Sequence, residues 1–278
     1  MDLTFNISVL MAVHNGEKAR NLHKALCSLN NQSLQPKQIV LVEDGPLGGQ
    51  LMDEIEHWQS VWGRRLTIVR NAENLGLTAS LNRGIEQVCN PIIARMDSDD
   101  IAHPRRFERQ ARFLRQHPDI DIVGGSIKEF NDEGRNLATR HYPLTHNAVL
   151  HSIHRASPLA HPAVMMRSTI FQRGLRYDER YRTSQDIALW FDAICAGFRI
   201  ANIPDTVLYF RQDDKMYRRR GRGKAWGEFA IYCSGIRRLY GVLSWRYLFP
   251  VGRLMARMMP SAIIRWLYRS GLRRMVVE

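Results

Sequence analysis

The first 120 residues alternate between short apolar runs and segments whose apolar residues recur at helical spacing. The runs are rich in β-branched residues, which is typical of strands buried on both faces of a sheet. The spaced segments predict helices that each cover one face of that sheet. Strands alternating with helices predict a doubly wound parallel α/β sheet. In chain order, the predicted elements contain Phe5–Val13, Leu22–Leu29, Gln38–Val42, Leu51–Trp62, Leu66–Val69, Leu77–Val88 and Pro91–Met96.

The pattern is less regular after residue 120. Ile120–Val123, Ile200–Ile203 and Val207–Phe210 have the composition of short strands, and the polar segment 128–142 predicts a hairpin or a loop. Ser184 precedes a helical pattern over Gln185–Ala196 and is a residue type that caps helices. We therefore expect one α/β domain over residues 1–215.

Polar residues follow each of the first four predicted strands. Asn, Asp and Gly are common turn formers, so any one of these loops has an ordinary structural explanation. Ligands of open parallel sheets, however, bind beyond the carboxyl ends of the strands. Four polar loops at one edge of the sheet therefore predict a binding site. These loops are His14-Asn15-Gly16-Glu17, Glu43-Asp44-Gly45, Arg70-Asn71 and Asp97-Ser98-Asp99-Asp100.

The last of these loops contains three aspartates within four residues, Asp97, Asp99 and Asp100. Their carboxylates repel one another unless a cation compensates. Mg²⁺ and Mn²⁺ prefer such oxygen ligands and are often shared with substrate phosphates. Asp100 also directly precedes a helical pattern over Ile101–Gln116, so it is alternatively an N-cap, and the two roles are compatible if Asp99 is the ligand. No glycine-rich phosphate loop is present, which argues against P-loop and ordinary dinucleotide-binding enzymes.

The net charge of +13 first suggests a polyanionic partner. Its distribution changes that interpretation, because residues 1–210 hold 24 Lys and Arg against 23 Asp and Glu, whereas residues 211–278 hold 16 against 4. A nearly neutral domain thus carries a basic tail, which we assign to residues 216–278. The four cysteines are far apart in sequence and predict reduced thiols rather than a zinc site.

Two segments of the tail combine arginines at helical spacing with aromatic and aliphatic residues. Such amphipathic helices are typical of interfacial membrane segments. The alternative is a pair of helices that packs on the domain with an arginine-rich outer face. No segment has the roughly 18 apolar residues of a spanning helix, and the N-terminal residues predict no secretory leader. The arginines are Arg246, Arg253 and Arg257 in the first segment and Arg265, Arg269 and Arg273 in the second.

Five segments together resemble family 2 glycosyltransferases, the inverting enzymes of the GT-A fold that use nucleotide sugars. The resemblance covers roughly residues 5–215, and the segments occur in the order of the family. Within that family the chain is similar to bacterial enzymes that build O-antigen and exopolysaccharide repeat units, several of which are β-1,3-hexosyltransferases. The segments are Ile7–Glu17, Val40–Gly45, Asn71–Gly84, Arg95–Asp100 and Ser184–Asp192.

The resemblance implies a fold, a reaction and a set of ligands. The fold is a Rossmann-like, mixed but mainly parallel sheet flanked by helices. The reaction moves galactose, glucose or GlcNAc from a UDP-sugar to a polyprenyl-diphosphate-linked sugar, with Mn²⁺ or Mg²⁺ as cofactor. Because that acceptor is anionic and lies in a membrane, the basic tail would bind an anionic membrane surface at the cytoplasmic face of the bacterial inner membrane.

The resemblance also implies roles for individual residues. Asp186 corresponds to the general base, Asp99 to a metal ligand and Asp44 to the aspartate that hydrogen-bonds uracil. The other expected contacts of the nucleotide sugar are Val13, His14, Asn15, Glu17, Asn71, Arg83, Arg95 and Asp97, although either arginine could instead pair with a nearby acid. The expected acceptor contacts are Gln185, His161 and Trp190.

Two positions depart from the family pattern. Gln185-Asp186 stands where Glu-Asp is usual, so the contact made by that Glu would here be a neutral hydrogen bond. Arg211-Gln212-Asp213 stands where Arg-x-His is frequent, with the His completing the metal site. Asp213 is then a candidate third metal ligand in an all-oxygen site, or else a solvated loop charge.

Two other functions compete with glycosyl transfer. A nucleic-acid-binding protein would use the basic tail, but the preceding domain is nearly neutral and shows no recognised nucleic-acid motif, so we expect no nucleic-acid partner. A nucleotidyltransferase that makes nucleotide sugars would need a basic, glycine-rich phosphate loop near the N-terminus. Val13–Lys18 does not provide one.

Overall fold

The computed structural model describes residues 6–133, 135–212 and 222–258. The strands are β1 Ile7–Val13, β2 Gln38–Glu43, β3 Leu66–Arg70, β4 Ile92–Arg95, β5 Ile101–Ala102, β6 Ile122–Phe130, β7 Asn136–Arg140, β8 Met165–Arg167 and β9 Ile200–Arg211. The α-helices are α1 Ala19–Asn30, α2 Gly49–Trp62, α3 Leu77–Glu86, α4 Arg106–Gln116, α5 His146–Ser152, α6 Thr169–Gln172, α7 Gln185–Cys195, α8 Arg222–Tyr240 and α9 Leu248–Met258. Short 3₁₀ turns lie at Gly63–Arg65, His161–Ala163 and Trp245–Tyr247.

All nine strands form one sheet in the order β3-β2-β1-β4-β8-β6-β9-β5, with β7 paired to β6. The first four strands in this order are parallel. The rest of the sheet is mixed, because β8 runs antiparallel to β4 and β6, whereas β9 is parallel to β6. The predicted mixed α/β fold flanked by helices is therefore confirmed. Its parallel half brings the carboxyl ends of β1 to β4 to one edge.

The alternation of side chains along β1 builds a core on each face of the sheet. Val9 and Met11 pack into one layer with α1 and α2, while Leu10 packs into the other layer with α3 and α7. A strand whose two faces are both buried must be apolar throughout, which explains the continuous apolar run in the sequence. Gly84 of α3 allows this helix to approach the sheet, since a Cβ there would lie 2.4 Å from Leu10.

The starts of two helices differ from the prediction. The helix predicted from Ile101 begins only at Arg106, because Ile101 and Ala102 form β5 against β9. Pro104 follows this strand, and its ring disfavours helical backbone in the residue before it. Asp100 is consequently not a helix cap. Ser184 precedes α7 with a left-handed backbone (φ 60°), but its side chain makes no capping hydrogen bond.

The polar segment 128–142, for which a hairpin and a loop were both compatible with the sequence, contains a hairpin of β6 and β7. The two short strands predicted after residue 200 are instead one strand, β9, whose register against β6 shifts near Ser126. This long strand carries the chain from the core back to the acid cluster at the end of β4.

Helix α8 packs directly on α7. A Cβ at Gly235 would lie 2.2 Å from the ring of Phe191, so the two helices touch at this glycine. Ile231 and Ile236 of α8 belong to the same buried cluster as the apolar face of α7. Helix α8, which belongs to the predicted tail, therefore packs on the α/β domain. Residues 213–221 and 259–278, which include Arg265, Arg269 and Arg273, lie outside the described residues.

Candidate active site

Three carboxylates meet directly after β4. One oxygen from each of Asp97, Asp99 and Asp100 lies within 4.8 Å of the others. Burial, together with repulsion from Asp97 and Glu17, raises the pKa of Asp99 to about 7. A cluster of this kind is relieved by a cation, which favours the charged carboxylates.

Asp100 joins the acid cluster to the end of β9. It is fully buried, and its Oδ1 accepts a hydrogen bond of 2.8 Å from the backbone N–H of Arg211. Its Oδ2 has no hydrogen-bond partner among the described residues. The Arg211 guanidinium donates to the carbonyl oxygen of Asp99 at 2.9 Å. The carboxylate donor set and the unpartnered buried oxygen fit a hard divalent cation such as Mg²⁺ or Mn²⁺.

Arg95 lies beneath this cluster, at the end of β4. It is 1% exposed and donates from Nη2 to Asp97 at 2.5 Å, while its Nε and Nη1 have no partner in the described part of the chain. Its charge also lowers the pKa of His161 and opposes the increase in the pKa of Asp186. Arg95 thus pairs with a nearby acid and lies between the acid cluster and the residues predicted for the acceptor.

The predicted nucleotide contacts at the ends of β2 and β3 form one hydrogen-bonded chain. The Asp44 carboxylate accepts from the backbone N–H groups of Leu75 (2.8 Å) and Gly76 (3.1 Å) and from the Asn71 amide (3.2 Å). The amide oxygen of Asn71 in turn accepts from Arg83 at 2.7 Å. Asp44 therefore fixes the loop after β3, whether or not it also contacts a base.

The loop after β1 brings together the remaining predicted nucleotide contacts. Val13 is buried, and its carbonyl oxygen accepts from the backbone N–H of Asp44 at 2.8 Å. His14 is exposed and accepts from the N–H of Gly16, whereas Asn15 accepts from the N–H of Gly48 at 2.7 Å. Asn15 and Glu17 line a cavity of about 570 Å³ together with Lys18, Arg20 and the start of α2.

A second cavity, of about 650 Å³, lies on the other side of the sheet edge. Asp186, at the first turn of α7, lines it together with His161, Tyr142, Arg140 and Phe210. Asp186 is half-buried, and burial raises its pKa above the ordinary value of an aspartate. A carboxylate in such a position can accept a proton from a hydroxyl group.

His161 is held in this cleft by buried neighbours. Its Nε2 lies 2.7 Å from the Tyr177 hydroxyl, and burial lowers its pKa well below the ordinary value, so the ring is neutral. Trp190 stacks edge-on at a centroid distance of 6.0 Å and is fully buried. Trp190 thus supports His161 from behind, and its predicted contact with an acceptor stays a prediction. Gln185 is also buried and does not line the cleft.

One ionic cluster near the site has no signal in the sequence. Asp132, in the turn between β6 and β7, accepts from Lys18 (2.9 Å), Arg20 (3.1 Å) and Arg211 (2.9 Å). A single aspartate in a polar turn does not reveal these contacts, because its partners are distant in the chain. Asp213, the predicted third metal ligand, lies outside the described residues.

Comparisons with known proteins identify the family of this chain. The sequence profile described as Glycosyl transferase family 2 matches residues 8–175. Amylovoran biosynthesis glycosyltransferase AmsE of Erwinia amylovora is 32% identical, over 95% of this chain and 98% of that protein. The UDP-Gal:alpha-D-GlcNAc-diphosphoundecaprenol beta-1,3-galactosyltransferase of Escherichia coli is 28% identical, over 98% of each chain.

Solved structures show the same fold at low sequence identity. The TarS fragment 1–349 of S. aureus in complex with UDP is 17% identical, with a TM-score of 0.63 over 99% of this chain and 76% of that one. The mannosyltransferase PcManGT of Pyrobaculum calidifontis, in complex with GDP-Man and Mn2+, is 14% identical, with a TM-score of 0.66 over 98% and 82%. With the family profile and AmsE, the conclusion is that this chain belongs to glycosyl transferase family 2 and has the GT-A fold.

Proposed function

We propose that the protein is an inverting hexosyltransferase that uses a UDP-sugar and a polyprenyl-diphosphate-linked sugar acceptor and forms a β-linkage, most simply β-1,3. The observation that carries the proposal is the pair of sites on either side of Arg95. On one side three aspartates suit a metal and a diphosphate, and on the other the half-buried Asp186 suits a proton acceptor. An inverting transfer needs both functions in one place.

Relatives support the proposed donor and acceptor. The galactosyltransferase of Escherichia coli is named for UDP-Gal and a GlcNAc-diphosphoundecaprenol acceptor, AmsE for amylovoran biosynthesis and WbnJ for O-antigen biosynthesis. TarS has been solved with UDP and with UDP-GlcNAc. We infer a galactose, glucose or GlcNAc donor and a place in exopolysaccharide or O-antigen synthesis.

The chemistry follows from the two sites. The acceptor hydroxyl attacks the anomeric carbon while Asp186 takes its proton, and the bond from that carbon to the UDP oxygen breaks, which inverts the configuration. Neutral His161, held by Tyr177, is placed to hydrogen-bond an acceptor hydroxyl without competing for the proton. Asp99 and Asp100, with Asp97, would hold Mn²⁺ or Mg²⁺, which supplies positive charge for the departing diphosphate.

We further propose that the connection between α8 and α9 contacts the cytoplasmic face of the inner membrane. Val242, Leu243, Trp245 and Leu248 are strongly exposed there, with Leu243 at 99%. Two of the arginines predicted to face lipid, Arg253 and Arg257, pair with Glu228. Among the described helices, none has the length and apolarity needed to cross a bilayer.

The test of the proposed reaction is a panel of UDP-sugars and GDP-mannose, assayed with Mn²⁺ or Mg²⁺ and a synthetic lipid-diphosphate-linked GlcNAc. We expect turnover of one UDP-sugar, and a loss of turnover of at least about 100-fold in Asp99→Asn, since its charge at the leaving group is removed. Asp119→Asn is a control that removes an exposed acid paired only with Arg199. No turnover of any UDP-sugar, or an Asp99→Asn variant as active as the parent, would refute the proposal.

A further inference from the structure

Beside the acid cluster, the side chains of Lys18, Arg20, Asp132 and Arg211 form a group of four charges. None of the roles described so far accounts for this group. Asp132 accepts hydrogen bonds from Lys18 and Arg20 on one oxygen and from Arg211 on the other. Lys18 and Arg20 lie at the start of α1, whereas Arg211 lies at the end of β9, far from them in sequence. Within this group one carboxylate faces three cations, and the acid cluster lies directly beside it.

Arg211 is the fixed member of this group. Its side chain is 4% exposed, and its guanidinium lies 4.5 Å from the centroid of the Phe130 ring. Nε donates to the Asp99 carbonyl oxygen and Nη1 to Asp132. Nη2 is buried without a hydrogen-bond partner among the described residues. A buried guanidinium nitrogen without a partner is costly, which indicates that a ligand completes its hydrogen bonding.

Lys18 and Arg20 are the adaptable members. Their side chains are 53% and 64% exposed, so they can move at little cost. Both line the cavity that also contains Asn15 and Glu17, two of the predicted nucleotide contacts. The charge of Glu17 also contributes to the raised pKa of Asp99, which places this loop close to the acid cluster.

We propose that Lys18, Arg20 and Arg211 form a clamp for the diphosphate of the nucleotide donor, and that Asp132 competes with the diphosphate for this clamp. This inference rests on the proposed function for the identity of the ligand. A diphosphate offers more charge and more acceptor oxygens than one carboxylate, so it satisfies all three cations at once. Asp132 keeps the cations together but opposes any anion that approaches them.

Competition by Asp132 determines whether its removal strengthens or weakens diphosphate binding. Replacing Asp132 by Asn removes a negative charge next to the clamp, so the diphosphate should bind more tightly. If Asp132 were only a structural anchor of the turn between β6 and β7, its loss would loosen the clamp and weaken binding. The opposite signs distinguish competition from anchoring.

The experiment measures the Kd of UDP and of inorganic pyrophosphate, each with Mg²⁺, by calorimetry on the full chain at low and at moderate salt. We expect Asp132→Asn to lower both Kd values about 3- to 10-fold at low salt, with a smaller change at moderate salt because these groups are partly exposed. Glu133→Gln is the matched control, since Glu133 is the neighbouring acid and its ion pair among the described residues is with Arg135. It should leave both Kd values unchanged.

The double variant Lys18→Met, Arg20→Met should raise both Kd values about 10-fold, and thermal unfolding shows whether each variant is folded. An unchanged or higher Kd in folded Asp132→Asn overturns the proposal, as does a parent protein that binds neither UDP nor pyrophosphate. Pyrophosphate separates this proposal from the proposed reaction. If no UDP-sugar is a substrate but Asp132→Asn still binds pyrophosphate more tightly, the clamp is supported and the donor assignment is not.

Discussion

The proposed donor edge, at the carboxyl ends of β1 to β4, and the proposed acceptor cleft, lined by Asp186 and His161, meet at Arg95 but are built in different ways. The donor edge consists of loops that directly follow parallel strands, and its important groups are charged. The cleft is assembled from the β6–β7 hairpin, the 3₁₀ turn at His161–Ala163 and α7, and its buried groups include a neutral imidazole and a phenol. One site therefore depends on strand order, and the other depends on long-range packing.

This difference predicts that the two sites can be damaged separately. The largest effect is expected for Asp186→Asn, which removes the proton acceptor of the cleft. We expect kcat to fall by about 100-fold or more, with an unchanged Kd for UDP. Asp192→Asn, on the same helix and paired with Arg238 at the surface, is the control. An equal loss of UDP affinity in Asp186→Asn would show that the two sites are not separable.

Asp186 also determines the direction in which activity changes with pH. The base works only when deprotonated, and burial raises the pKa of Asp186. Activity should therefore fall as the pH is lowered through this raised pKa, at a pH above the ordinary aspartate value of about 4. A profile of kcat against pH in the parent enzyme measures this limb. A flat profile down to pH 4 would contradict the assignment of Asp186 as the base.

A loss of activity of intermediate size is expected when the contact between α8 and α7, the helix that carries Asp186, is disturbed. Gly235→Ala would place a Cβ 2.2 Å from the Phe191 ring and push α8 away from α7. Overpacking of this kind lowers the free energy of unfolding by about 1–3 kcal/mol. We expect a lower melting temperature and a higher KM for the acceptor, with little change in the KM of the donor.

Gly227→Ala in the same helix is the control for this variant, because a Cβ there meets no atom within 4 Å. Alanine in place of this helical glycine should raise stability by about 0.5–1 kcal/mol. If Gly235→Ala raised the donor KM as much as the acceptor KM, α8 would support both sites, and the two sites would not be separable.

The smallest effect on catalysis is expected at the exposed apolar residues between α8 and α9. Leu243→Ser should weaken binding to anionic liposomes by about 10-fold or more, because burying a leucine contributes about 1.5–3 kcal/mol. UDP binding should not change. Val61→Ser removes a half-exposed apolar side chain from α2 and serves as the control. Equal liposome binding by the parent and Leu243→Ser would exclude this connection as the membrane contact.

The donor edge is largely predictable from the sequence because it is formed by residues that directly follow each buried strand in the chain. Apolar runs predict the buried strands, and the residues after each run must then lie at one edge. The position of Asp99 directly after the fourth such run, between two other aspartates, is sufficient to make it a candidate metal ligand. The two-residue strand β5 is not predictable, since its only cause is pairing with Leu208 and Tyr209, about 100 residues later.

The acceptor cleft and the tail are less predictable because their partners are distant. The sequence places Trp190 on an apolar helix, but only the packed structure shows that the ring lies behind His161. The arginines of α9 have the spacing of a lipid-facing stripe, yet Arg253 and Arg257 lie against Glu228, 25 and 29 residues earlier. Net charge alone does not distinguish a free cation from a paired one.

The packing of α8 on α7 has a consequence for the order in which the enzyme matures during its synthesis. Strands β1 to β4 and their loops are made first, whereas β9 and α8 leave the ribosome almost 200 residues after the start of the chain. A domain generally folds as a unit, so this one completes its packing only after α8 has been made. The helix that carries Asp186 gains its last buried neighbours only when Ile231, Gly235 and Ile236 arrive. The loops after β1 to β4 are thus made well before the helix of the proposed base, Asp186, can gain its final packing.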